Sequence, residues 1–296
     1  MSTRFKTVGI FGRVKNDGVK ETLKTLIQYL HQLSQDIRVE EETAEPLHDP
    51  SLKTISREQI SSECDLLIVV GGDGSMLHAA HAIVNETIPV LGINRGSLGF
   101  LTDILPTELE KVKSILEGKY TLEKRFLLTS KVKLNNQLLG QDHALNEVAL
   151  LPDARPHMIE FEIYIDNQFV CSQDSDGLII ATPTGSTAYA LSGGGPILHP
   201  QLDAIVLVPM FPHTLSSRPI VIEGNCKITI VVSPNNPASP RISCDGRESL
   251  TTPGGCHIKI DKNLKPLHLI HPEDYHYYKA LRSKLHWGKK LQHSKG

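Results

Sequence analysis

Residues 66–77 read Leu66-Leu67-Ile68-Val69-Val70-Gly71-Gly72-Asp73-Gly74-Ser75-Met76-Leu77. The apolar run that opens this stretch is typical of a parallel strand buried on both faces. Three glycines then surround one aspartate, and the pattern that follows predicts a helix from Ser75 to about Asn85. The stretch therefore predicts a strand–turn–helix unit, the building block of an open α/β sheet.

The turn between that strand and that helix is a candidate phosphate site. Glycines let a ligand approach the backbone closely, and the N–H groups at a helix start attract phosphate. The turn lacks the Gly-Lys-Ser/Thr of a Walker A loop and does not follow the GxGxxG dinucleotide pattern. Asp73 would repel phosphate unless it accepts a proton or holds a metal-bound water. The alternative is that Asp73 only caps the helix and the glycines only make a tight turn.

The same alternation of strands and helices extends to both sides of this unit. Short apolar strands are predicted at Val8 to Phe11, Ile37 to Glu40, Leu66 to Val70 and Ile88 to Ile93. Helical spacing recurs from Leu23 to Leu33 and from Thr107 to Leu116. The polar segment from Thr43 to Pro50, with two prolines, predicts a loop. Residues 1–122 are therefore expected to form an α/β N-terminal domain with an open, mostly parallel sheet.

The second half of the chain loses the helical spacing near Phe126. The strands predicted there are Leu127 to Leu134, Glu147 to Leu151, Ile159 to Ile165, Gly177 to Ala181, Ala204 to Val208, Lys227 to Val232 and His257 to Ile260. Turn residues such as Asp166-Asn167 separate them, which predicts an all-β, sandwich-like C-terminal domain at residues 123–270. The segment from Glu273 to Leu291 is expected to be helical, so that residues 271–296 dock on the N-terminal domain.

Charge and hydropathy exclude several classes of function. The 296 residues include 31 Lys and Arg against 33 Asp and Glu, a net charge of −2, whereas a protein that binds nucleic acid through phosphates is usually basic. No apolar run approaches the roughly 20 residues of a membrane span, and the N-terminus lacks an apolar core of signal-peptide length. We therefore expect a cytoplasmic protein that binds neither nucleic acid nor a membrane.

Cysteines and histidines do not form a recognisable metal or disulfide pattern. The five cysteines are an odd number and contain no CxxC pair, which argues against a disulfide framework or a zinc site. His78 and His81 lie three apart on the predicted helix without an acidic or cysteine partner nearby. A solvated helix face is favoured over a ligand pair there, and no metal held by the protein alone is expected.

Four further stretches are rich in polar or small residues. Asn146-Glu147, at a predicted strand start, could hold the vicinal hydroxyls of a ribose, although a surface turn is the simpler interpretation. The stretches from Asp174 to Gly177 and from Thr182 to Tyr189 would contact a flat polar ligand, or else form a flexible turn region. Ser243-Cys244-Asp245-Gly246-Arg247 predicts a hairpin tip. The sequence contains neither a GxSxG elbow nor a His/Cys pairing of the kind that activates a hydrolase nucleophile.

Taken in order along the chain, these stretches resemble the NAD kinases of the bacterial type, nearly from end to end. The matching motifs are Gly71-Gly72-Asp73-Gly74, Gly92-Ile93-Asn94-Arg95-Gly96-Ser97-Leu98-Gly99-Phe100-Leu101, Asn146-Glu147, Ser175-Asp176-Gly177, Thr182-Pro183-Thr184-Gly185-Ser186-Thr187-Ala188-Tyr189 and Pro209-Met210-Phe211-Pro212-His213-Thr214-Leu215-Ser216-Ser217-Arg218-Pro219. The glycine-aspartate turn alone is shared with phosphofructokinase-like and diacylglycerol-kinase-like enzymes, whereas the combination is specific. The resemblance implies an α/β domain followed by a β-sandwich domain. It also implies ATP- and Mg²⁺-dependent phosphorylation of the 2′-hydroxyl of the adenosine ribose of NAD, which yields NADP.

The resemblance also implies roles for individual residues. Asp73 would be the general base and would contact NAD together with Gly74, while Gly71, Gly72, Gly74 and His78 would face the ATP phosphates. Asn146 and Glu147 would hold a ribose, and Asp176 the nicotinamide carboxamide. The other NAD-binding positions would be His157, Asp174, Thr187, Ala188, Tyr189, Ala190, Leu191, Ser192 and Arg247. A homodimer or homotetramer is implied, because a neighbouring subunit completes the NAD site in this family, and Mg²⁺ or another divalent cation would accompany ATP.

Two positions depart from the family pattern. His78 stands where many members have arginine or lysine, and Asp174 stands where close relatives can carry arginine, so the preference between NAD and NADH is open. Two other functions also stay open: a kinase of a lipid or a sugar phosphate on a related fold, and a non-catalytic dinucleotide-binding regulator. Asp73 favours a kinase over a regulator, because a protein that only binds a dinucleotide has no need for a carboxylate at a phosphate turn.

Overall fold

The computed structural model describes residues 5–13, 17–95, 99–153, 157–247 and 250–287. Contacts between residues divide the chain into two units. The first unit contains the described residues up to Lys124 and those from Leu267 onward, and the second unit spans Arg125–Pro266.

A seven-stranded sheet forms the centre of the first unit. Numbered in chain order, its strands are β1 (Thr7–Gly12), β2 (Asp36–Glu40), β3 (Thr54–Ile55), β4 (Leu66–Val70), β5 (Pro89–Ile93), β6 (Thr121–Arg125) and β19 (Leu267–His271). Their order is β3-β2-β1-β4-β5-β19-β6, and the pairs from β3 across to β19 are parallel. Every residue of β4 is fully buried, as expected for a parallel strand covered on both faces.

The described helices of this unit carry the apolar stripes that the leucine spacing predicts. They are α1 (Asp17–Gln32), α2 (Glu41–Ala44), α3 (Ile60–Glu63), α4 (Asp73–Ala82), α5 (Leu109–Leu116) and α7 (Tyr277–Leu285). Leu23 and Leu26 of α1 and Val112 of α5 are fully buried in one core cluster with the strands of the sheet. Within the described ranges, no helix is both long and apolar enough to cross a membrane.

The carboxyl ends of three neighbouring strands meet at one edge of this sheet. In the strand register, Val70 of β4 lies opposite Gly12 of β1 and Ile93 of β5. The residues that follow, Gly71 and Asn94, therefore lie side by side at the edge where open α/β sheets bind their ligands.

Two six-stranded sheets with antiparallel pairing make up the second unit. In spatial order the first contains β11 (Gln168–Ser175), β10 (Ile159–Ile165), β15 (Ile228–Val232), β18 (His257–Lys262), β7 (Leu128–Leu134) and β8 (Gln137–Ala144). The second contains β14 (Ile220–Glu223), β13 (Ala204–Met210), β12 (Gly177–Ala181), β9 (Glu147–Leu151), β16 (Arg241–Cys244) and β17 (Leu250–Thr251), and α6 (Tyr189–Ser192) follows β12. Phe161 and Ile230 of the first sheet share one buried cluster with Val148 and Ile180 of the second, so the two sheets pack face to face.

The fold class predicted from the sequence is confirmed, with a mostly parallel α/β unit and an antiparallel β unit. The continuous apolar run at Leu66 to Val70 and the alternating pattern at Ile159 to Ile165 both match strands residue for residue. Asp166 and Asn167 form the predicted turn between β10 and β11, with φ values of 49° and 65° that these residue types tolerate.

Several local predictions were wrong. The expected loop from Thr43 to Pro50 contains the end of α2 and a short 3₁₀ helix at Glu45–Leu47, because the Glu40 carboxylate accepts the N–H of Thr43 at 2.8 Å and caps α2.

The other errors concern element ends and edge strands. The helix α4 begins at Asp73 rather than Ser75, and the C-terminal helix is limited to Tyr277–Leu285, with residues 288–291 outside the described part. Strands β8 and β11 are among those that were missed, because they are the largely exposed edges of their sheet and mix polar residues with exposed apolar ones such as Leu138 and Phe169.

Candidate active site

The turn from Gly71 to Gly74 joins β4 to α4 at the ligand-binding edge of the first sheet. Gly71 has a φ of 149°, and a Cβ there would overlap the Ser75 side chain, so only glycine fits. A Cβ at Gly72 or Gly74 would meet no described neighbour within 4 Å. Packing therefore does not require glycine at these two positions, and Gly74 costs about 1 kcal/mol of helix propensity relative to alanine. Open backbone at a helix start is what a phosphate group needs.

The Asp73 carboxylate reaches away from its own helix. It accepts the N–H of Phe100 on Oδ2 at 3.0 Å and the N–H of Leu101 on Oδ1 at 3.0 Å, while the Thr102 hydroxyl lies 3.4 Å from Oδ1. Gly72 is the N-cap of α4, and no side-chain capping bond is formed there. The helix-cap interpretation of Asp73 is therefore wrong, because the side chain bridges the glycine turn and a loop that follows β5.

This loop, residues 99–104, is itself held in place by hydrogen bonds. The amide of Asn94 donates to the carbonyl oxygen of Thr102 at 3.2 Å and to its hydroxyl at 2.9 Å. The N–H of Gly99 donates to the same carbonyl at 2.9 Å, and Ile104 forms a parallel bridge with Ile93 of β5. The motif residues at positions 96–98 lie outside the described residues. The 99–104 loop thus presents its amides to Asp73 from a fixed position.

A cation that the motif analysis missed lies at the same edge. Arg13 follows β1, and its guanidinium contacts Nε2 of His78 on α4. The sequence could have indicated this position. Arg13 follows the buried strand β1 and Gly71 follows its parallel neighbour β4, so both residues lie at the same edge of the sheet. Across the described ranges, no three His, Cys, Asp or Glu side chains are grouped to hold a metal ion.

In the second unit, the Asn146-Glu147 pair and the stretch from Thr182 to Tyr189 are brought together. The hydroxyl of Thr182 donates to the carbonyl of Leu145 at 2.6 Å, and its N–H donates to the carbonyl of Asn146 at 2.8 Å. A Cβ at Gly185 would overlap the backbone of Asn146, so glycine permits the close approach. Two motifs that are distant in sequence thus form one surface.

Asp245 shapes this surface and was missed as a functional candidate. Its carboxylate accepts the N–H groups of Leu145 and Asn146 at 2.8 Å each and that of Glu147 at 3.1 Å. The predicted hairpin is confirmed, because β16 pairs with β17 and the intervening Asp245 and Gly246 have φ values of 52° and 68°. In the sequence, the Asp-Gly pair predicts the turn, but it does not predict which backbone N–H groups the aspartate carboxylate binds.

The Glu147 carboxyl group is buried, with 7% of the residue exposed. Burial raises the pKa of Glu147 to about 8, the nearby Asp245 charge adds to the rise, and the N–H of Tyr189 partly offsets it. Its Oε2 atom has no hydrogen-bond partner among the described residues. At neutral pH this group is therefore largely protonated, and it can both donate and accept a hydrogen bond.

The segment from Thr187 to Ser192 shows a mixture of exposed and buried side chains. Tyr189 and Ser192 are exposed, whereas Ala190 is fully buried in a core cluster beneath them. The hydroxyl of Thr187 donates to the Thr184 carbonyl at 3.2 Å. A ligand on this surface would meet the partly exposed Ala188 and Leu191 together with the side chains of Tyr189 and Ser192, whereas Ala190, expected from the family pattern to contact NAD, is fully buried and out of reach.

The remaining candidate residues lie elsewhere on the second unit. Asp174 and Asp176 are exposed at the end of β11, and His157 is half-buried just before β10. The Arg247 guanidinium lies 3.5 Å from the carboxylate of Asp142, and both residues line a cleft of about 340 Å³.

A glycine-aspartate turn at the carboxyl edge of a parallel sheet, with open amides for phosphate and one immobilised carboxylate, defines a phosphotransferase of the kinase class. Comparisons with known proteins agree. Residues 8–121 match the model of the ATP-NAD kinase N-terminal domain, and residues 145–272 match that of the ATP-NAD kinase C-terminal domain. The NAD kinase of Ectopseudomonas mendocina (strain ymp) is 54% identical over 289 residues, which cover 97% of this chain and 98% of that protein. The NAD kinase of Pseudomonas aeruginosa (strain LESB58) is 54% identical over 288 residues, with the same coverage.

Two solved structures are similar over nearly the whole chain. Yeast NADH kinase complexed with NADH has a TM-score of 0.88 and 26% identity, covering 98% of this chain and 90% of that one. The NAD kinase from Archaeoglobus fulgidus in complex with ATP has a TM-score of 0.73 and 25% identity, covering 95% of this chain and 98% of that one.

The chain belongs to the ATP-NAD kinase family. It is an enzyme, a kinase that phosphorylates NAD to NADP. The lipid- or sugar-phosphate kinase and the non-catalytic regulator, which the residues alone left open, are set aside by this membership.

Proposed function

We propose that this chain transfers the γ-phosphoryl group of ATP to the 2′-hydroxyl of the adenosine ribose of NAD, with Asp73 as the general base. The observation that carries the proposal is the position of the Asp73 carboxylate. It lies at the start of α4, and two backbone amides of the 99–104 loop hold both of its oxygens. The glycines on either side, Gly72 and Gly74, leave free space where a Cβ would stand. Phosphoryl transfer asks the protein mainly for positioning and for stabilisation of charge.

The hydrogen bonds of Asp73 leave it able to accept a proton. A carboxylate offers about four lone-pair sites. The described donors, Phe100, Leu101 and Thr102, occupy three of these sites. The remaining lone pair points in a fixed direction because both oxygens are held, so little entropy is lost when a hydroxyl aligns with it.

The phosphates of ATP would bind at the backbone N–H groups around Gly72 and Gly74, and Gly71 would face them without donating, because its own N–H donates to the carbonyl of Ile93 at 2.9 Å. In the first turn of α4 the N–H of Ser75 donates to the carbonyl of Gly72 at 2.9 Å, whereas the geometry of a helix start gives those of Asp73 and Gly74 no acceptor within the helix. The helix dipole adds partial positive charge there. The Arg13–His78 pair lies on α4 and the neighbouring strand end, and it would supply cationic contacts in place of an arginine or lysine at position 78. ATP enters as its complex with Mg²⁺ or a similar divalent cation, which neutralises further phosphate charge.

Dinucleotide recognition would rest on the second unit. A protonated Glu147 donates and accepts, as does the Asn146 amide, so both match ribose hydroxyls that themselves donate and accept. Asp176 would bind the nicotinamide carboxamide, and the exposed Asp174 would lie beside it. The other proposed NAD contacts are His157, Thr187, Ala188, Tyr189, Leu191, Ser192 and Arg247.

Assembly into a homodimer or homotetramer is part of the proposal. Phe211 is 75% exposed and Leu215 is 92% exposed on a segment that lines a cleft of about 350 Å³, together with Ser192. Large apolar side chains exposed in one segment favour a protein–protein contact. A cytoplasmic location and domain boundaries after residues 122 and 270 remain predictions.

The direct test measures NADP formation by the purified chain. The reaction contains ATP, MgCl₂ and NAD, and an NADP-specific dehydrogenase reports the product. EDTA should abolish the signal and excess MgCl₂ should restore it. Parallel reactions offer NADH, a sugar phosphate or a diacylglycerol as acceptor. Phosphorylation of one of the last two without phosphorylation of NAD would contradict the proposal, and activity in EDTA would contradict its metal requirement.

A further inference from the structure

A buried ionisable cluster in the first unit takes no part in the proposed reaction. His271 ends β19 and is fully buried, and its Nδ1 lies 2.8 Å from Oδ2 of Asp103. Its Nε2 lies 3.6 Å from the Glu123 carboxylate, and its ring stacks on Tyr275 with centroids 3.8 Å apart and planes 9° apart. The ring is therefore held by a hydrogen bond at one edge and by stacking on one face, with the Glu123 carboxylate near the other edge but beyond hydrogen-bond distance.

Stability alone explains this cluster poorly. Burial tends to lower the pKa of His271, but hydrogen bonds and charges from Asp103 and Glu123 outweigh it, so the pKa is raised. A buried ion pair repays its desolvation only when every polar atom is satisfied. Oδ1 of Asp103 is buried and has no hydrogen-bond partner among the described residues. The pair is better explained by the position in which it holds the residues around it.

The residues that this pair holds in position are those of the 99–104 loop. Asp103 lies two residues after Leu101, whose backbone N–H binds the Asp73 carboxylate together with that of Phe100. His271 is anchored because the preceding residue of β19 pairs with Leu91 of β5. The loop is thus held by Asn94 at the end of β5 and by His271 at the end of the adjacent strand.

We propose that His271 is a positioning residue for phosphoryl transfer: its imidazole holds Asp103, and thereby the amides of Phe100 and Leu101, where they orient the carboxylate of Asp73. The inference rests on the proposed role of Asp73 as general base. It differs from a stabilising role in one consequence, because a loosened loop misaligns Asp73 without altering the NAD-binding residues proposed on the second unit.

The first experiment compares His271→Leu with His271→Asn in steady-state assays for NADP formation. Leucine cannot donate to Asp103, whereas the asparagine amide can reach the position of Nδ1 and donate. A misplacement of about 1 Å can cost about 10²-fold in rate. We expect kcat to fall by about 10- to 100-fold in His271→Leu, with the KM for NAD and for ATP changed by less than about threefold. The asparagine variant should recover kcat to within about fivefold of the parent.

Val112→Ala serves as the control for lost stability, because Val112 lies in the core of the same unit and outside the loop. It should lower Tm and leave kcat unchanged at an assay temperature below Tm. If His271→Leu does not fold, His271→Leu combined with Asp103→Leu removes both members of the hydrogen-bonded pair, so that Asp103 is not left as an unpaired buried charge. This double variant should fold and show the same loss of kcat, and a parent-like kcat in it would overturn the proposal.

A double-variant comparison separates this inference from the proposed function. In an Asp73→Asn background, His271→Leu should lower the residual rate by less than about twofold, because residues that act through one another are not additive. An equal loss in both backgrounds, or a parent-like kcat in His271→Leu, would show that His271 does not act through Asp73. A parent-like rate in Asp73→Asn itself would instead contradict the general-base assignment.

Discussion

Replacement of Asp73 by asparagine tests the proposed base most directly, and the structure sets its cost in stability. Asparagine converts one carboxylate oxygen into an NH₂ donor, which must face the N–H of Phe100 or of Leu101. The best orientation keeps the acceptor towards Leu101 and loses the charge-assisted bond from Phe100. That loss costs about 2–3 kcal/mol in the free energy of unfolding. A typical total of about 5–15 kcal/mol leaves the variant folded, with a Tm lower by about 5–10 °C.

The expected loss of rate is larger than that loss of stability would suggest. Asparagine cannot take the proton of the 2′-hydroxyl, and loss of a general base costs about 10² to 10⁴ in kcat. The KM for NAD should change little, because the Asn146-Glu147 surface is built without Asp73. The assay is coupled NADP formation below the Tm of every variant, with thermal unfolding recorded on the same samples.

Two comparisons decide whether Asp73 acts as a base. Val112→Ala lowers stability by about 2 kcal/mol through a core cavity and should retain the parent rate. His271→Leu disturbs the 99–104 loop but retains the carboxylate, so its rate loss should be smaller than that of Asp73→Asn. A rate within threefold of the parent in Asp73→Asn would refute the general-base assignment. A loss no greater than that of His271→Leu would leave Asp73 only an anchor for the loop.

The remaining predictions concern the second unit. Asn146→Ala and Glu147→Ala should raise the KM for NAD more than that for ATP, and a change confined to ATP would assign both residues to the donor. Because the folded pKa of Glu147 is raised from 4.5 to about 8, the folded state binds the extra proton between these values. The free energy of unfolding should therefore fall as pH rises towards 8, by at most about 1.4 kcal/mol per pH unit, and Tm measured against pH should lose this slope in Glu147→Gln. Asp174 is exposed, so Asp174→Asn should reduce the NAD-to-NADH ratio of kcat/KM by less than about fivefold. Added salt should reduce that ratio in the parent. A ratio unchanged by the substitution would remove Asp174 from the site. Leu215→Asp should lower both the molecular mass measured by light scattering and the activity. The control Leu264→Asp, at a position 98% exposed, should change neither. A fully active monomer would contradict the proposed homo-oligomer.

Prediction from sequence succeeded where burial leaves a strong local pattern. The strand at Leu66 to Val70 and the leucine spacing of α1 are visible because a strand buried on both faces and an amphipathic helix differ in period. It failed at β8 and β11, whose largely exposed residues, polar and apolar together, show no such period. It also failed at α2, where a single capping carboxylate, Glu40, outweighed the loop signal of prolines and acidic residues.

The features of the candidate site fall into two groups, those that the sequence identifies and those that only the structure identifies. The sequence by itself determined the glycine turn, its aspartate and the order of the family motifs, because these depend on residue type and spacing. Only the tertiary structure decided that Asp73 is held by Phe100 and Leu101, that Asp245 binds the amides at Asn146, and that His271 holds Asp103. Asp73 and Asp245 bind backbone N–H groups, which every residue except proline carries, so the sequence does not mark the donor. The partners of all three lie far apart along the chain, and only strand order and register bring them together.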